Sequence, residues 1–299
     1  MRSNSSPPVV AIVGAGRVGS ALGRLLRPKG WRIGPVITRS MRTARAARRR
    51  IGSGEPQAGV SQAVLAADLV LIATPDRTIA PTARALARLG GSSHSGGKSW
   101  RGKIVLHTSG ALGSDVLRPL ALHGAAIGSL HPLQTFSTQN AQALDGTTCA
   151  IEGSPAALRM ARRICRELAG IPVVLPSSRK AAYHAAAALA AGHVLAVTEA
   201  AARILIAAGF LRKHAVRALL PLTRQTLANY ERVGARAAWT GPLSRGDFAV
   251  IERHLVALRQ FPREYRDAYA ALSRLGVNVL ANNSGSKMRQ LEQTLARIK

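Results

Sequence analysis

The most constraining feature of this chain is an apolar, mostly β-branched run, Val9 to Val13, followed at once by Gly14-Ala15-Gly16-Arg17-Val18-Gly19. Such a run reads as a strand covered on both faces. Ser20 to Leu26 then places Ala21, Leu22 and Leu25 on one helical face. A GxGxxG set between a strand and a helix has a specific use: Gly14 permits the tight turn, Gly16 lets the backbone approach a pyrophosphate, and Gly19 lets helix and strand pack closely. The free N–H groups of the helix start favour anionic phosphates. Gly14, Gly16, Arg17, Val18 and Gly19 are therefore the candidate dinucleotide-binding residues.

The rest of the amino-terminal half alternates strands and helices. Strands are expected at Trp31–Ile37, from Asp68 into Thr74-Pro75-Asp76, and at Lys103–His107, Ala125–Leu130, Thr147–Ile151 and Ile171–Leu175. Helices are expected at Arg42–Arg50, Gln62–Ala67, from Asp76 or Thr78 as cap to Leu89, at Asp115–Leu122 and at Pro155–Ala169. Gly52–Gly59 reads as a turn region and Gly90–Gly102, which contains His94, as a surface loop. This alternation implies an α/β fold with a doubly wound, mainly parallel sheet. Strand signals stop after Pro176. Ser178–Ala208, with Ser177 or Ser178 as N-cap, reads as a long Ala-rich helix, and further helices are expected near 213–233, 244–258, 262–275 and 286–298. The chain therefore divides into two domains, 1–176 and 177–299. An Ala-rich helix permits close helix–helix approach, at a homodimer interface or within one chain.

At the end of the second strand, about 20 residues past the glycines, an NAD-preferring fold normally carries an acid for the ribose hydroxyls. Thr38-Arg39-Ser40 has none. Arg39, with Thr38 and Ser40, offers donors to a 2′-phosphate, which favours NADP over NAD. Thr74 and Pro75, at another strand end, face the same crevice.

The formal charge of +28 comes from 42 Lys and Arg against 14 Asp and Glu, and only seven of the 42 are lysine. The arginines are spread along the chain, aromatics are 4%, and no base-stacking motif or zinc finger is evident, which disfavours a nucleic-acid partner. Attraction for small anions is the milder consequence. Cys149 and Cys165 form no CxxC or metal-like spacing and suit a reducing compartment. Residues 1–8 lack the apolar core of a signal peptide. Ala181–Phe210 contains His184, His193, Glu199 and Arg203, a poor membrane span. A cytoplasmic protein without a membrane segment or a metal is expected.

Three groups could carry chemistry. Lys180 and His184, four apart, share one face at the start of the long helix. Lys180 could donate a proton to a substrate carbonyl, and His184 could orient it; the structural alternative is an exposed Lys and a half-buried His at a hinge. Ser109 and Gly110, with His131, stand at strand ends beside the cofactor site, where Ser109 could meet a substrate carboxylate. Arg245, in Thr240-Gly241-Pro242-Leu243-Ser244-Arg245-Gly246-Asp247, could clamp a carboxylate bidentately, or serve only a turn.

Taken in order, GAGRVG, ATPD, HTSGALGSDVL, SLHPLQTF, KAAYHAAAALAAGHV and TGPLSRGD resemble a family of predicted oxidoreductases that pair a Rossmann-like amino-terminal domain with a helical domain of unknown function 2520. The wider group is similar to β-hydroxyacid dehydrogenases, ketopantoate reductases and pyrroline-5-carboxylate reductases. The resemblance implies a reductase or dehydrogenase and does not name its substrate; together with the residues above, the expected activity is an NADP-dependent hydride transfer to or from a small carboxylated ketone, hydroxy acid or imine bound between the domains. The helical domain would form a homodimer. The Lys-x-x-x-Asn of the hydroxyacid dehydrogenases corresponds to Lys180 and His184, so the Asn is absent here. The reading from another class is a catalytically silent NADP-binding sensor.

Overall fold

The computed structural model describes residues 7–90, 99–137 and 144–297. The chain divides into two compact units, Met1–Ala191 and Gly192–Lys299.

The first unit is built on eight strands: β1 (Val9–Val13), β2 (Arg32–Thr38), β3 (Glu55–Ala58), β4 (Leu69–Ile72), β5 (Ile104–His107), β6 (Ala126–Pro132), β7 (Thr148–Gly153) and β8 (Ile171–Val174). Its helices are α1 (Arg17–Leu26), α2 (Met41–Ile51), α3 (Asp76–Ala87), α4 (Arg118–Ala121), α5 (Pro155–Glu167) and α6 (Lys180–Ala188). The strand order is β3-β2-β1-β4-β5-β6-β7-β8. All neighbours run parallel except β6 and β7, which pair antiparallel with His131 opposite Ala150. The order reverses between β1 and β4, and in open α/β sheets ligands bind at that switch point.

The apolar runs of β1 and β4 are continuous because both sheet faces are covered. Val10, Ile12, Leu69 and Leu71 pack under α1, α2 and α5. Ala11, Val13, Val70 and Ile72 pack under α3 with Leu117 and Leu120. Trp100 is buried in this second layer, where its indole N–H donates to the Leu86 carbonyl at 3.2 Å.

Several expectations are corrected. The region expected to be a turn, Gly52–Gly59, contains β3, an edge strand parallel to β2. Its sequence, Glu-Pro-Gln-Ala, has no apolar pattern because it lies at the rim, where Pro56 is tolerated. The loop expected at Gly90–Gly102 ends in core, since Trp100 is fully buried; His94 lies outside the described residues. Neither Asp76 nor Thr78 caps α3. Thr78 Oγ1 donates to the Pro75 carbonyl at 2.7 Å, and Asp76 accepts from Ser109. Neither Ser177 nor Ser178 caps the long helix: a 3-10 turn over Ser177–Arg179 comes first, and Ser177 donates to Glu152. The long helix is not one regular helix, because a π-helical turn, Leu189–His193, interrupts it after α6.

The second unit contains α7 (Val194–Ala207), α8 (Arg212–Ala238), α9 (Pro242–Arg245), α10 (Phe248–Ala257), α11 (Arg263–Leu280) and α12 (Ser284–Ala296). Its core is small: Ile251, Leu255, Val277, Ala281 and Leu291, with Trp239, Leu243 and Phe248 packed against them. The helical run Ser177–Ala207 has a mean hydropathy of 1.5 in its most apolar window, so by length and composition it could cross a membrane.

Candidate functional site

The first part of the site is the turn after β1. Gly14 N–H donates to the Ile37 carbonyl at 2.8 Å, which ties the turn to β2. Gly14 has φ +86°, and a Cβ there would lie 2.6 Å from the backbone nitrogen of Thr74 and 2.8 Å from Ala73 C. A side chain is thus excluded both by the left-handed backbone and by the end of β4. At Gly19 a Cβ would lie 2.8 Å from the Gly14 carbonyl, the close helix–strand approach expected of the third glycine. Gly16 is different: a Cβ there would meet nothing nearer than 4.0 Å, so this exposed glycine borders open space.

No side chain caps α1, and its first turn carries no acid. The helix start is therefore an open, electropositive cradle that fits a phosphate. Ser20 Oγ and Arg50 Nη2 both donate to the Ala15 carbonyl, at 2.9 and 3.2 Å, and fix the turn from behind. Arg17 and Arg39 are exposed, and Val18 is half-buried. Ser40 is the N-cap of α2, with its Oγ accepting from Thr43 N, and Thr38 Oγ1 donates to the Ser40 carbonyl at 2.9 Å. Arg39 is thus the freest donor of the three. Thr74 Oγ1 is buried with no partner among the described residues, beside the Gly14 turn, and Pro75 is exposed.

The second part is a polar network at the carboxyl ends of β5 and β6. Ser109 Oγ donates to Asp76 Oδ2 at 2.9 Å and accepts from Ala111 N and Leu112 N, both at 3.1 Å. Its one proton and both lone pairs are already used. His107 is fully buried. Its Nδ1 accepts from Ser109 N at 3.2 Å, which places the ring proton on Nε2, 3.1 Å from the Gly113 carbonyl. Burial, with Lys180 adding to it, pulls the His107 pKa down to about 4, so the ring is neutral.

Lys180 is not the exposed lysine of the hinge alternative. It is 1% exposed, and its Nζ donates to the Ser109 carbonyl at 3.0 Å and to Ser129 Oγ at 2.7 Å. Burial lowers its pKa to about 8, against the opposing pull of Glu152 and Asp76. Ser129 Oγ in turn lies 3.3 Å from Glu152 Oε2. Glu152 accepts from Ser114 N at 2.9 Å, Ser114 Oγ at 2.6 Å and Ser177 Oγ at 2.7 Å. Burial would raise its pKa, but the Ser114 and Ser177 hydrogen bonds outweigh that and hold it low.

The third part is a cavity of about 600 Å³ lined by His131, Gln134, Thr135, Tyr183, His184 and alanines of α6 and the π turn. His131 Nδ1 lies 2.9 Å from Tyr183 OH, and the His131 and His184 rings meet edge to face with centroids 5.8 Å apart. A Cβ on Gly110 would lie 2.6 Å from His184 Cδ2 and 2.8 Å from His131 Nε2. Gly110 thus leaves the room in which the two imidazoles converge. The structure brings together Ser109, Gly110, His131, Lys180 and His184. Arg245 belongs to the second unit, on the single turn α9. Tyr183, Ser129 and Glu152 carry no separate signal in the sequence; only the i, i+3, i+4 spacing of Lys180, Tyr183 and His184 points to a shared face.

Residues 4–132 match the Rossmann-like domain family, and residues 147–275 match the domain of unknown function DUF2520. The chain belongs to the proteins that join these two domains. The cavity of this Rossmann-like/DUF2520 protein is built from both matched regions, His131 from the first and Tyr183 and His184 from the second. No curated protein sequence matches it.

Among solved structures, a candidate NADP oxidoreductase from Bacteroides fragilis aligns with a TM-score of 0.74 at 24% identity, covering 90% of this chain and 97% of that one. A reductive aminase from Aspergillus terreus, in complex with NADPH and ethyl-5-oxohexanoate, aligns at TM-score 0.64 and 16% identity, covering 98% and 100%. A 1-pyrroline-5-carboxylate reductase from Streptococcus pyogenes aligns at 0.57 and 14%, again covering 98% and 100%. These likenesses establish the fold.

Proposed function

We propose that the protein is an NADP-dependent oxidoreductase acting on a small carboxylated ketone, hydroxy acid or imine. The observation that carries this reading is the uncapped glycine cradle at the switch point, with exposed Arg39 in place of an acid at the end of β2. The solved structures described as an NADP oxidoreductase and as a reductive aminase with NADPH support it.

In this reading the first-turn N–H groups of α1 hold the pyrophosphate and Arg39 holds the 2′-phosphate. The bound nicotinamide supplies or accepts the hydride. Asp76 and Lys180 lock the Ser109-Gly110 loop through the Ser109 hydroxyl and carbonyl, and His131, Tyr183 and His184 present polar atoms to the substrate. The apolar side chains exposed on α7 and α8, among them Leu195 at 71% and Leu222 at 65%, support pairing with a second copy of the chain. The two free, buried cysteines support a reducing, cytoplasmic setting.

Ligand-free protein titrated with NADPH and NADH should bind NADPH more tightly, and 2-oxo acids and cyclic imines should then be screened by loss of nicotinamide absorbance. No affinity for either nucleotide would sink the proposal. Sedimentation of the wild type against Leu195→Glu tests the pairing: a monomeric wild type contradicts it.

A further inference from the structure

We propose that Tyr183 is the group that donates the proton to the substrate heteroatom, with His131 orienting and reprotonating it. This rests on the oxidoreductase reading and adds the proton path to it.

Reducing a carbonyl or imine carbon requires a proton at the oxygen or nitrogen, delivered by a group that faces the substrate and has a proton to give. Most of the titratable groups nearby are already committed elsewhere. Lys180 faces the wrong way: it is 1% exposed and held by the Ser109 carbonyl and Ser129 Oγ. Ser109 has its only proton on Asp76. His107 is fully buried, with its proton directed at the Gly113 carbonyl. Tyr183, His131 and His184 line the cavity. Of these three, Tyr183 and His131 form a defined pair, 2.9 Å apart and edge to face at 88°, whereas His184 meets His131 only ring to ring.

The pair can work without charge separation in the resting state. Burial pushes the Tyr183 phenol up to about 12, and burial followed by His184 pulls His131 down to about 4, so both are neutral near pH 7. With the His131 proton on Nδ1, the ring donates to the phenol oxygen, and the Tyr183 O–H is left to point into the cavity. As hydride from the reduced cofactor adds to the carbonyl carbon, the C=O π pair moves to oxygen, and that oxygen takes the Tyr183 proton. The phenol oxygen takes the Nδ1 proton while Nε2 takes one from solvent water, whose hydroxide is released to bulk, and His131 ends as its other neutral tautomer. The net change is one hydride and one proton added to the substrate, with the cofactor oxidised. The alanines that line the same cavity suit an apolar substituent on that carbon.

The test uses the full chain, NADPH, and three probes: pyruvate, 1-pyrroline-5-carboxylate and ethyl 5-oxohexanoate. Tyr183→Phe keeps the ring and removes only the hydroxyl. It should lower kcat by about 100-fold or more and leave the NADPH dissociation constant within about twofold. His131→Gln should lower kcat by less and reduce the solvent deuterium effect on kcat without abolishing it, because the Tyr183 proton still transfers while the proton relayed from Nδ1 is lost; a merely structural role would leave that effect unchanged. In NADP⁺-loaded wild type, a bound probe should shift the Tyr183 ring carbon signal. If Tyr183→Phe retains kcat, or if wild type binds NADPH but neither binds nor reduces any probe, the proton-donor assignment is overturned while the cofactor reading stands. If wild type binds neither nucleotide, the oxidoreductase reading itself fails.

Discussion

Replacing Lys180 with methionine separates the cost of a buried charge from its use. The ammonium is 1% exposed, and its pKa falls from 10.5 to about 8, chiefly through burial. At ~1.4 kcal/mol per pH unit, the folded state disfavours the charge by about 3 kcal/mol relative to the unfolded chain. Methionine has similar length and no charge, so it removes that term. Against this, the Ser109 carbonyl loses its donor, a loss of about 1–3 kcal/mol for a buried group. Ser129 keeps Glu152 as a partner, and Glu152 keeps Ser114 and Ser177. The two effects nearly cancel, and Lys180→Met should unfold within about 2 kcal/mol of wild type at pH 7.

The pH dependence is more decisive. Between pH 8 and 10.5 the unfolded chain binds more protons at this position than the folded one, so wild-type stability rises with pH across that window. Below it both states are charged and the full penalty is present; above it both are neutral and the penalty is gone. The variant lacks this limb, so wild type should gain about 3 kcal/mol relative to it from pH 8 to 10.5. The assay is urea unfolding read through the buried Trp31 and Trp100 of the first unit, with Trp239→Phe as the common background. A variant destabilised by more than about 4 kcal/mol at pH 7, with no difference in pH slope, would refute the reasoning, because a missing buried charge penalty would leave Lys180 as a net stabiliser.

Trp100→Ala should cost about 3–5 kcal/mol in the same unfolding assay, since it empties a buried position in the core layer that includes α3 and takes the indole donor from the Leu86 carbonyl. Gly110→Ala drives a methyl group against His131 and His184; NADPH affinity should hold in a fluorescence titration while kcat falls by at least about tenfold, because only the proton-delivering side of the site is displaced. Arg39→Ala should weaken NADPH binding by about 10-fold or more, the loss of one charge-assisted contact, and leave NADH binding unchanged. Equal loss for both nucleotides would place Arg39 away from the 2′-phosphate.

The Rossmann-like half of the protein is legible in its residues alone, because its signals are local. A strand buried on both faces must be continuously apolar, and a turn that admits no Cβ at position 14 must be glycine, so Val9 to Gly19 can be read without knowing what surrounds it. The missing acid at Arg39 is legible for the same reason. One rim strand is not: β3, Glu-Pro-Gln-Ala, escapes because an edge strand needs no apolar alternation, whereas β8 at the opposite edge keeps an apolar run and is read; Trp100 is hidden in a Gly/Ser-rich stretch whose composition says nothing about one anchoring indole. The chemistry of the site, by contrast, emerges only once the chain is folded. Lys180 looks like any lysine four residues before a histidine, and whether it faces substrate or core depends on Ser109, Ser129 and Glu152, which reach it from three different strands or strand ends. Tyr183 acquires its partner from β6, more than fifty residues earlier. Orientation and protonation state follow from burial and from neighbours distant in sequence, and no short window of residues contains either.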